Sequence, residues 1–184
     1  MKALYFVRHG ESEANAQRVW SPVGARLTDI GKWQATAAGC NARERDLSFG
    51  KIISSPLPRA YETARLIADE LDYDVDAIEQ LDLLAERTWG ELAGVSGHDF
   101  FATGKTRHHM DDVPGVEKLE SLQMRAANAL NVLYGYPEDC ILVVSHNTFG
   151  RALRRAINGL PHTAEYDKSM DEQRIPHAQI IRLI

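Results

Sequence analysis

Short apolar runs that stop abruptly and hand over to helix-like stretches constrain the fold of this chain more than any other feature. Ala3 to Val7, Lys51 to Ser54 and Cys140 to Ser145 are brief and rich in residues that suit buried strands. After the first run, Thr28 reads as the N-cap of a helix passing Trp33 and Ala37 toward Arg45, with Gly31 and Gly39 weakening its interior. After the second, Ser55-Pro56-Leu57-Pro58 leads into a helix from Arg59 to Leu71, with Ala60, Ala64, Ile67 and Leu71 at helical spacing. After the third come His146 and a helix through Arg155. Alternation of this kind implies an α/β sandwich with a mostly parallel sheet. Tyr73 to Ile78 and Ala178 to Ile184 are further short strand candidates, and Glu117 to Leu133 reads as an amphipathic helix. Residues 92–115 show no long periodic element, and the irregular segment 95–113 exceeds what a plain connection needs. A length of 184 residues suits one domain with a full core.

The ends of those runs carry chemistry. Ala3 to Val7 stops at Arg8-His9-Gly10, Lys51 to Ser54 leads to Arg59, and Cys140 to Ser145 delivers His146. Open α/β sheets bind ligands at their carboxyl edge, so these groups converge where a ligand belongs. Guanidinium donates two parallel hydrogen bonds to phosphate and stays charged, so arginines beside imidazoles make a site for an anion. Gly10 permits a turn and a close backbone approach.

The net charge of -5 argues against a general affinity for nucleic acid or anionic membranes, so attraction for phosphate must be local. Cys40 and Cys140 lack metal-ligand spacing and suggest no disulfide framework. Neither opens a Cys-x5-Arg phosphatase loop, because Asp46 and His146 stand where the arginine would be. The amino terminus is too short an apolar run for a signal peptide, and no stretch approaches the ~20 apolar residues of a membrane span. A cytoplasmic location is expected.

Arg8-His9-Gly10-Glu11-Ser12 with Asn15 resembles the signature of the histidine phosphatase superfamily, which includes the cofactor-dependent phosphoglycerate mutases. Matching segments follow in order: Leu27-Thr28 with Gly31 and Gln34-Ala35, Ser55-Pro56 with Arg59-Ala60 and Thr63-Ala64, and Leu84-Ala85-Glu86 with Trp89-Gly90. Glu120-Ser121 with Arg125, then Val144-Ser145-His146, complete the set. The resemblance implies a phosphoglycerate mutase-like three-layer α/β/α sandwich and a metal-independent phosphoryl-transfer enzyme without a cofactor. It implies His9 as nucleophile, forming a phosphohistidine, with Arg8, Arg59 and His146 around the phosphoryl oxygens and Asn15 donating a further hydrogen bond. Glu86 takes the acid/base position; its alternative is a surface carboxylate paired with Arg87. The family often has Gly directly after the second histidine. Here Asn147 stands there, keeping the backbone N–H as a phosphate donor and adding a side chain that tightens the pocket.

Other residues leave two readings each. Ser21 and Arg87 are candidate substrate contacts, Ser21 alternatively serving only to open the turn at Pro22. His98, Lys105, Arg107, His108 and His109 form either a solvated loop balanced by Asp111 and Asp112 or a recognition element for a second anionic group. Asp72, Asp74 and Asp76 read as an exposed strand face. The expected partner is a small phosphorylated metabolite, and the leading activity is hydrolysis of its phosphomonoester. Because little chain separates Glu86 from His146, a walled-in mutase site is the second reading. A protein phosphohistidine phosphatase and a regulator without turnover are further alternatives.

Overall fold

The computed structural model describes residues 2–160 and 174–184. Residues of the first, second and third apolar runs form neighbouring parallel strands. They are β1 (Ala3–Arg8), β2 (Lys51–Ser54) and β4 (Cys140–Ser145). β4 lies between the other two, in register from Ala3 opposite Cys140 to Arg8 opposite Ser145. β3 (Glu79–Gln80) extends the parallel set beside β2, and β5 (Ile181–Arg182) closes the far side antiparallel to β1. The order β3-β2-β4-β1-β5 puts the ends of β1 and β4 side by side, which juxtaposes His9 and His146.

Helices cover both faces, because successive residues of each strand point to opposite sides. Leu4, Phe6, Ile53, Ile141 and Val143 pack with Leu122, Ala126 and Leu133 of α5 (Leu119–Gly135) and Phe149 and Leu153 of α6 (Asn147–Ile157). Val7, Ile52, Leu142 and Val144 pack with Ala38 of α2 (Asp29–Glu44) and Ala60, Ala64 and Ile67 of α3 (Pro58–Glu70). Such burial on both faces is what gave these strands unbroken apolar runs. The result is the expected three-layer α/β/α sandwich with a mostly parallel sheet.

Thr28 caps α2 as expected, its Oγ1 accepting the Gly31 N–H at 3.0 Å. The two glycines inside this helix have packing reasons. A Cβ on Gly31 would lie 2.0 Å from the Glu11 carbonyl oxygen, and one on Gly39 would lie 2.6 Å from Glu70 Cβ. Glycine lets α2 press directly on the turn after β1 and on α3.

Three stretches differ from expectation. Tyr73 to Ile78 is not a strand: Asp74 accepts the Asp76 N–H at 3.0 Å and caps a 3-10 turn at Val75–Ala77. Local side-chain hydrogen bonds of this sort compete with sheet pairing, and the strand starts only at Glu79. Segment 95–113 is not irregular. It holds α4 (Gly97–Ala102) and a 3-10 turn at Arg107–Asp112, with Phe100 and Met110 in a separate apolar cluster joined by Trp20 and Trp89. Six residues are too few for helical periodicity to show. At the end of the chain, β5 starts at Ile181 rather than near Ala178, whose positive φ of 49° breaks the extended run. Among the described residues no helix is long and apolar enough to cross a membrane.

Candidate active site

The end of β1 is held open by its neighbours. His9 donates its backbone N–H to the Ser145 carbonyl at 2.9 Å, one step beyond the β1–β4 ladder. Its ring Nδ1–H donates to the Gly10 carbonyl at 2.6 Å, so Nε2 keeps its lone pair. The Gly10 N–H donates to Thr63 Oγ1 at 3.1 Å, and that hydroxyl donates to the Arg59 carbonyl at 2.7 Å, tying the turn to α3. Gly10 itself has no room for a side chain, since a Cβ would sit 2.2 Å from the Gly31 carbonyl oxygen. α1 (Glu13–Ala16) follows, capped by Ser12. Asn15 Oδ1 accepts from the Ser12 N–H and hydroxyl at 3.1 and 2.9 Å, which leaves the amide NH2 to donate into the pocket it lines.

His9 and His146 are both buried, with ring centroids 5.1 Å apart. Burial drives both imidazoles well below the usual 6.5, and the positive charges of Arg59 and Arg8 add to the shift. Both rings are therefore neutral at physiological pH. His146 Nε2 lies 2.8 Å from Ser55 Oγ, which accepts the Leu57 N–H at 3.2 Å. With the hydroxyl proton given to Nε2, the ring proton of His146 sits on Nδ1. That atom is buried without a partner among the described residues. Fully buried, His146 stands behind His9 rather than on the pocket wall.

Arg8 and Arg59 are each buried, and desolvation lowers both to about 10, which leaves them cationic at neutral pH. Arg8 Nη1 donates to the Ile175 carbonyl at 3.0 Å. Arg59 Nη1 donates to the carbonyls of Pro22 and Val23 at 3.2 and 3.4 Å, fixing the loop that carries Ser21. The Nε atoms of both arginines, and the Ser21 hydroxyl, are buried without partners among the described residues. Desolvated donors of this kind are costly unless something meets them.

Glu86 reaches the pocket from the loop after the 3-10 turn Asp82–Leu84. Its carboxylate accepts the N–H groups of Thr148 at 3.2 Å, Phe149 at 3.0 Å and Arg87 at 2.9 Å, and so occupies the amino end of α6. Arg87 does not pair with Glu86 through its side chain. Its guanidinium, 5% exposed, pairs with Asp111, donates to the Glu117 carbonyl at 2.7 Å and lies over the Trp89 ring. Arg87 lines the pocket in that held position, and the basic loop contributes Arg107 beside it.

Asn147 does more than tighten a wall. It lines the pocket from the first turn of α6, and its Oδ1 accepts the Ile175 N–H at 3.1 Å. Arg8, His9, Asn15, Ser21, Arg59 and Glu86 thus meet around one pocket of about 300 Å³. Ser55, Arg125 and His177 were not expected as site residues. Arg125 Nη1 donates to the carbonyls of Leu83 and Ala85 at 2.8 Å each while its guanidinium pairs with Glu117, stapling the Glu86 loop to α5. Ser55 and Arg125 lie in the motif segments and were visible there, whereas nothing in the local pattern around His177 marks it.

A family model described as the histidine phosphatase superfamily, branch 1, matches residues 4–178. The chain belongs to the histidine phosphatase superfamily. A Bacillus subtilis relative named uncharacterized phosphatase PhoE is 32% identical over 162 residues, covering 86% of this chain and 79% of that protein. A probable phosphoglycerate mutase GpmB of Erwinia tasmaniensis is 32% identical over 182 residues, covering 90% and 79%. Among solved structures, the product of a Mycobacterium tuberculosis open reading frame is similar at a TM-score of 0.80 and 27% identity, covering 97% of this chain and 89% of that one. Superfamily membership makes the chain a phosphoryl-transfer protein of phosphatase and mutase kinship, and its fold is phosphoglycerate mutase-like.

Proposed function

We propose that the chain hydrolyses a small phosphomonoester through a phosphohistidine on His9. One observation carries this reading: a buried, neutral imidazole commits Nδ1 to Gly10 and presents the Nε2 lone pair beside two desolvated guanidiniums. A dianionic phosphoryl group meets the unpartnered donors of Arg8 and Arg59, Asn15 adds its NH2, and His146 backs the His9 ring from behind the pocket wall.

Nε2 attacks phosphorus, and the P–O ester bond breaks with its electron pair leaving on the alkoxide oxygen. Glu86 enters this step protonated, holding the proton that the second step restores to it, and gives it to that oxygen. In the second step Glu86 takes a proton from water, whose oxygen attacks phosphorus, and the P–N bond breaks to return His9 and release inorganic phosphate. Arrangement of charge is most of what phosphoryl transfer requires of a protein.

Hydrolysis rather than mutase chemistry is supported by the short chain between Glu86 and His146, which builds only α4, 3-10 turns and α5 before β4. The phosphatase name of the Bacillus relative points the same way. The mutase names among the other relatives keep isomerisation as the competing outcome. The test is release of phosphate from a panel of small phosphoesters, 3-phosphoglycerate included, with EDTA present and His9→Ala alongside. Release that requires His9 is the expected result. Isomerisation of 3-phosphoglycerate only after priming with 2,3-bisphosphoglycerate, without net release, would replace hydrolase by mutase.

A further inference from the structure

Residues 174–178 lie across the end of β1, joined to it by backbone and side chains alike. The Ala178 N–H donates to the Arg8 carbonyl at 2.8 Å, and His177 Nδ1–H donates to the His9 carbonyl at 2.9 Å. Between them and Arg174, Ile175 is fully buried in the core cluster with Phe6 and Phe149. Its backbone is engaged by two side chains rather than by a strand. The Ile175 carbonyl accepts from Arg8 Nη1 at 3.0 Å, and the Ile175 N–H donates to Asn147 Oδ1 at 3.1 Å.

We propose that Asn147 is a positioning residue that holds the 174–178 strap and, through Ile175, sets the Arg8 guanidinium for the substrate's phosphoryl group. The inference rests on the reading of this pocket as the phosphoryl site. A buried peptide N–H needs an acceptor, and no backbone carbonyl serves Ile175 among the described residues. Glycine, common in the family directly after the second histidine, has no acceptor to give.

The strap also works against electrostatics. Arg174 lines the pocket beside Arg8, and after burial its charge is the strongest influence lowering the Arg8 guanidinium. Two cations held together without an anion repel one another, and a phosphoryl group between them relieves that repulsion. A clasp that keeps the strap down keeps both charges where the anion arrives. Without it, Ile175 relaxes, Arg8 loses the acceptor that selects its orientation, and Arg174 moves off.

The test uses Asn147→Gly, which keeps the backbone N–H and removes the clasp together with the rest of a pocket-lining side chain, with Asn147→Ala giving the same reading if the glycine variant does not fold. Binding of inorganic phosphate is titrated by its effect on the melting temperature, and p-nitrophenyl phosphate hydrolysis is measured in parallel. Loss of one buried hydrogen bond predicts phosphate affinity and KM weakened together by about five- to tenfold, with kcat falling by less. Unchanged phosphate affinity overturns the proposal, as does a fall in kcat at constant KM. A wild-type chain that binds phosphate and hydrolyses nothing rejects the hydrolase reading, while the titration still decides the clasp. A wild type that binds no phosphate overturns both.

Discussion

Gly31→Ala is a substitution that intuition and structure judge oppositely. Inside a helix, alanine is favoured over glycine by about 1 kcal/mol, so an α2 governed by its own propensity would gain stability. The Cβ would instead stand 2.0 Å from the Glu11 carbonyl oxygen and 2.9 Å from both Glu11 C and N, all backbone atoms. That carbonyl cannot swing away freely, because it accepts the Thr28 N–H at 3.0 Å while the Glu11 N–H donates to Gln34 Oε1 at 2.8 Å. Separation to an ordinary contact needs more than 1 Å of movement between α2 and the turn that carries His9. Overpacking of this kind costs roughly 3 kcal/mol at the upper end of its common range, leaving a net loss of about 2 kcal/mol after the helix gain. At this chain length that is about 4–8 °C in Tm. Misplacing the His9 turn by about 1 Å predicts roughly a hundredfold loss of kcat/KM. Thermal melting by circular dichroism and p-nitrophenyl phosphate turnover measure the two effects. Gly135→Ala is the control, since no atom lies within 4 Å of the added Cβ. A Gly31→Ala protein as stable and as active as the wild type would refute the argument from close approach.

Glu86→Gln keeps the shape of the carboxyl but cannot deliver a proton. Alkyl phosphates are expected to slow at least tenfold more than p-nitrophenyl phosphate, whose leaving group needs little protonation. Equal losses on both substrate types would remove Glu86 from the acid role. Stability has a pH dependence set by three histidines. Burial and nearby arginines hold His9 and His146 well below 6.5, and His177 down to about 4. Below pH 6.5 the unfolded chain binds protons that these folded rings refuse. The stability present above 6.5 is therefore lost as pH falls toward 4, with a slope of up to about 1.4 kcal/mol per pH unit for each ring. The urea midpoint should drop between pH 7 and pH 5, and a constant midpoint would contradict the burial argument.

The layered fold was legible because its central strands are buried on both faces. Ile52, Ile53 and Ile141 to Val144 are all inaccessible, and burial of that kind leaves runs that no amphipathic surface strand would show. The strand-end residues were legible with them, since parallel strands place all their carboxyl ends at one edge. Contacts made at long range were not. Arg87 sits next to Glu86 in the chain, yet its partner is Asp111, whose other carboxylate oxygen accepts the Leu119 N–H at 3.1 Å and so begins α5 two residues later than expected. The two roles of Asp111 depend on α4 and the following 3-10 turn folding onto Trp20 and Trp89, which no local pattern announces. Likewise, the polar side chain of Asn147 was visible, but its acceptor duty toward Ile175 emerges only when the end of the chain returns to β1.

That return sets an order of events for synthesis. β1 leaves the ribosome first, but its neighbours in the sheet are β4 and β5, made more than a hundred residues later. Until β4 arrives, His9 has no Ser145 carbonyl to hold it, and until residues 174–178 arrive, Arg8 has no Ile175 carbonyl to orient it. Until then the nascent chain carries Arg8 and His9 without the contacts that seat them. Pairings of such sequence separation also close slowly, because the entropy of the intervening loop is spent before any contact rewards it. For this topology the pocket is among the last parts to form, and a chain stalled before β4 carries the amino-terminal motif without the sheet that seats it.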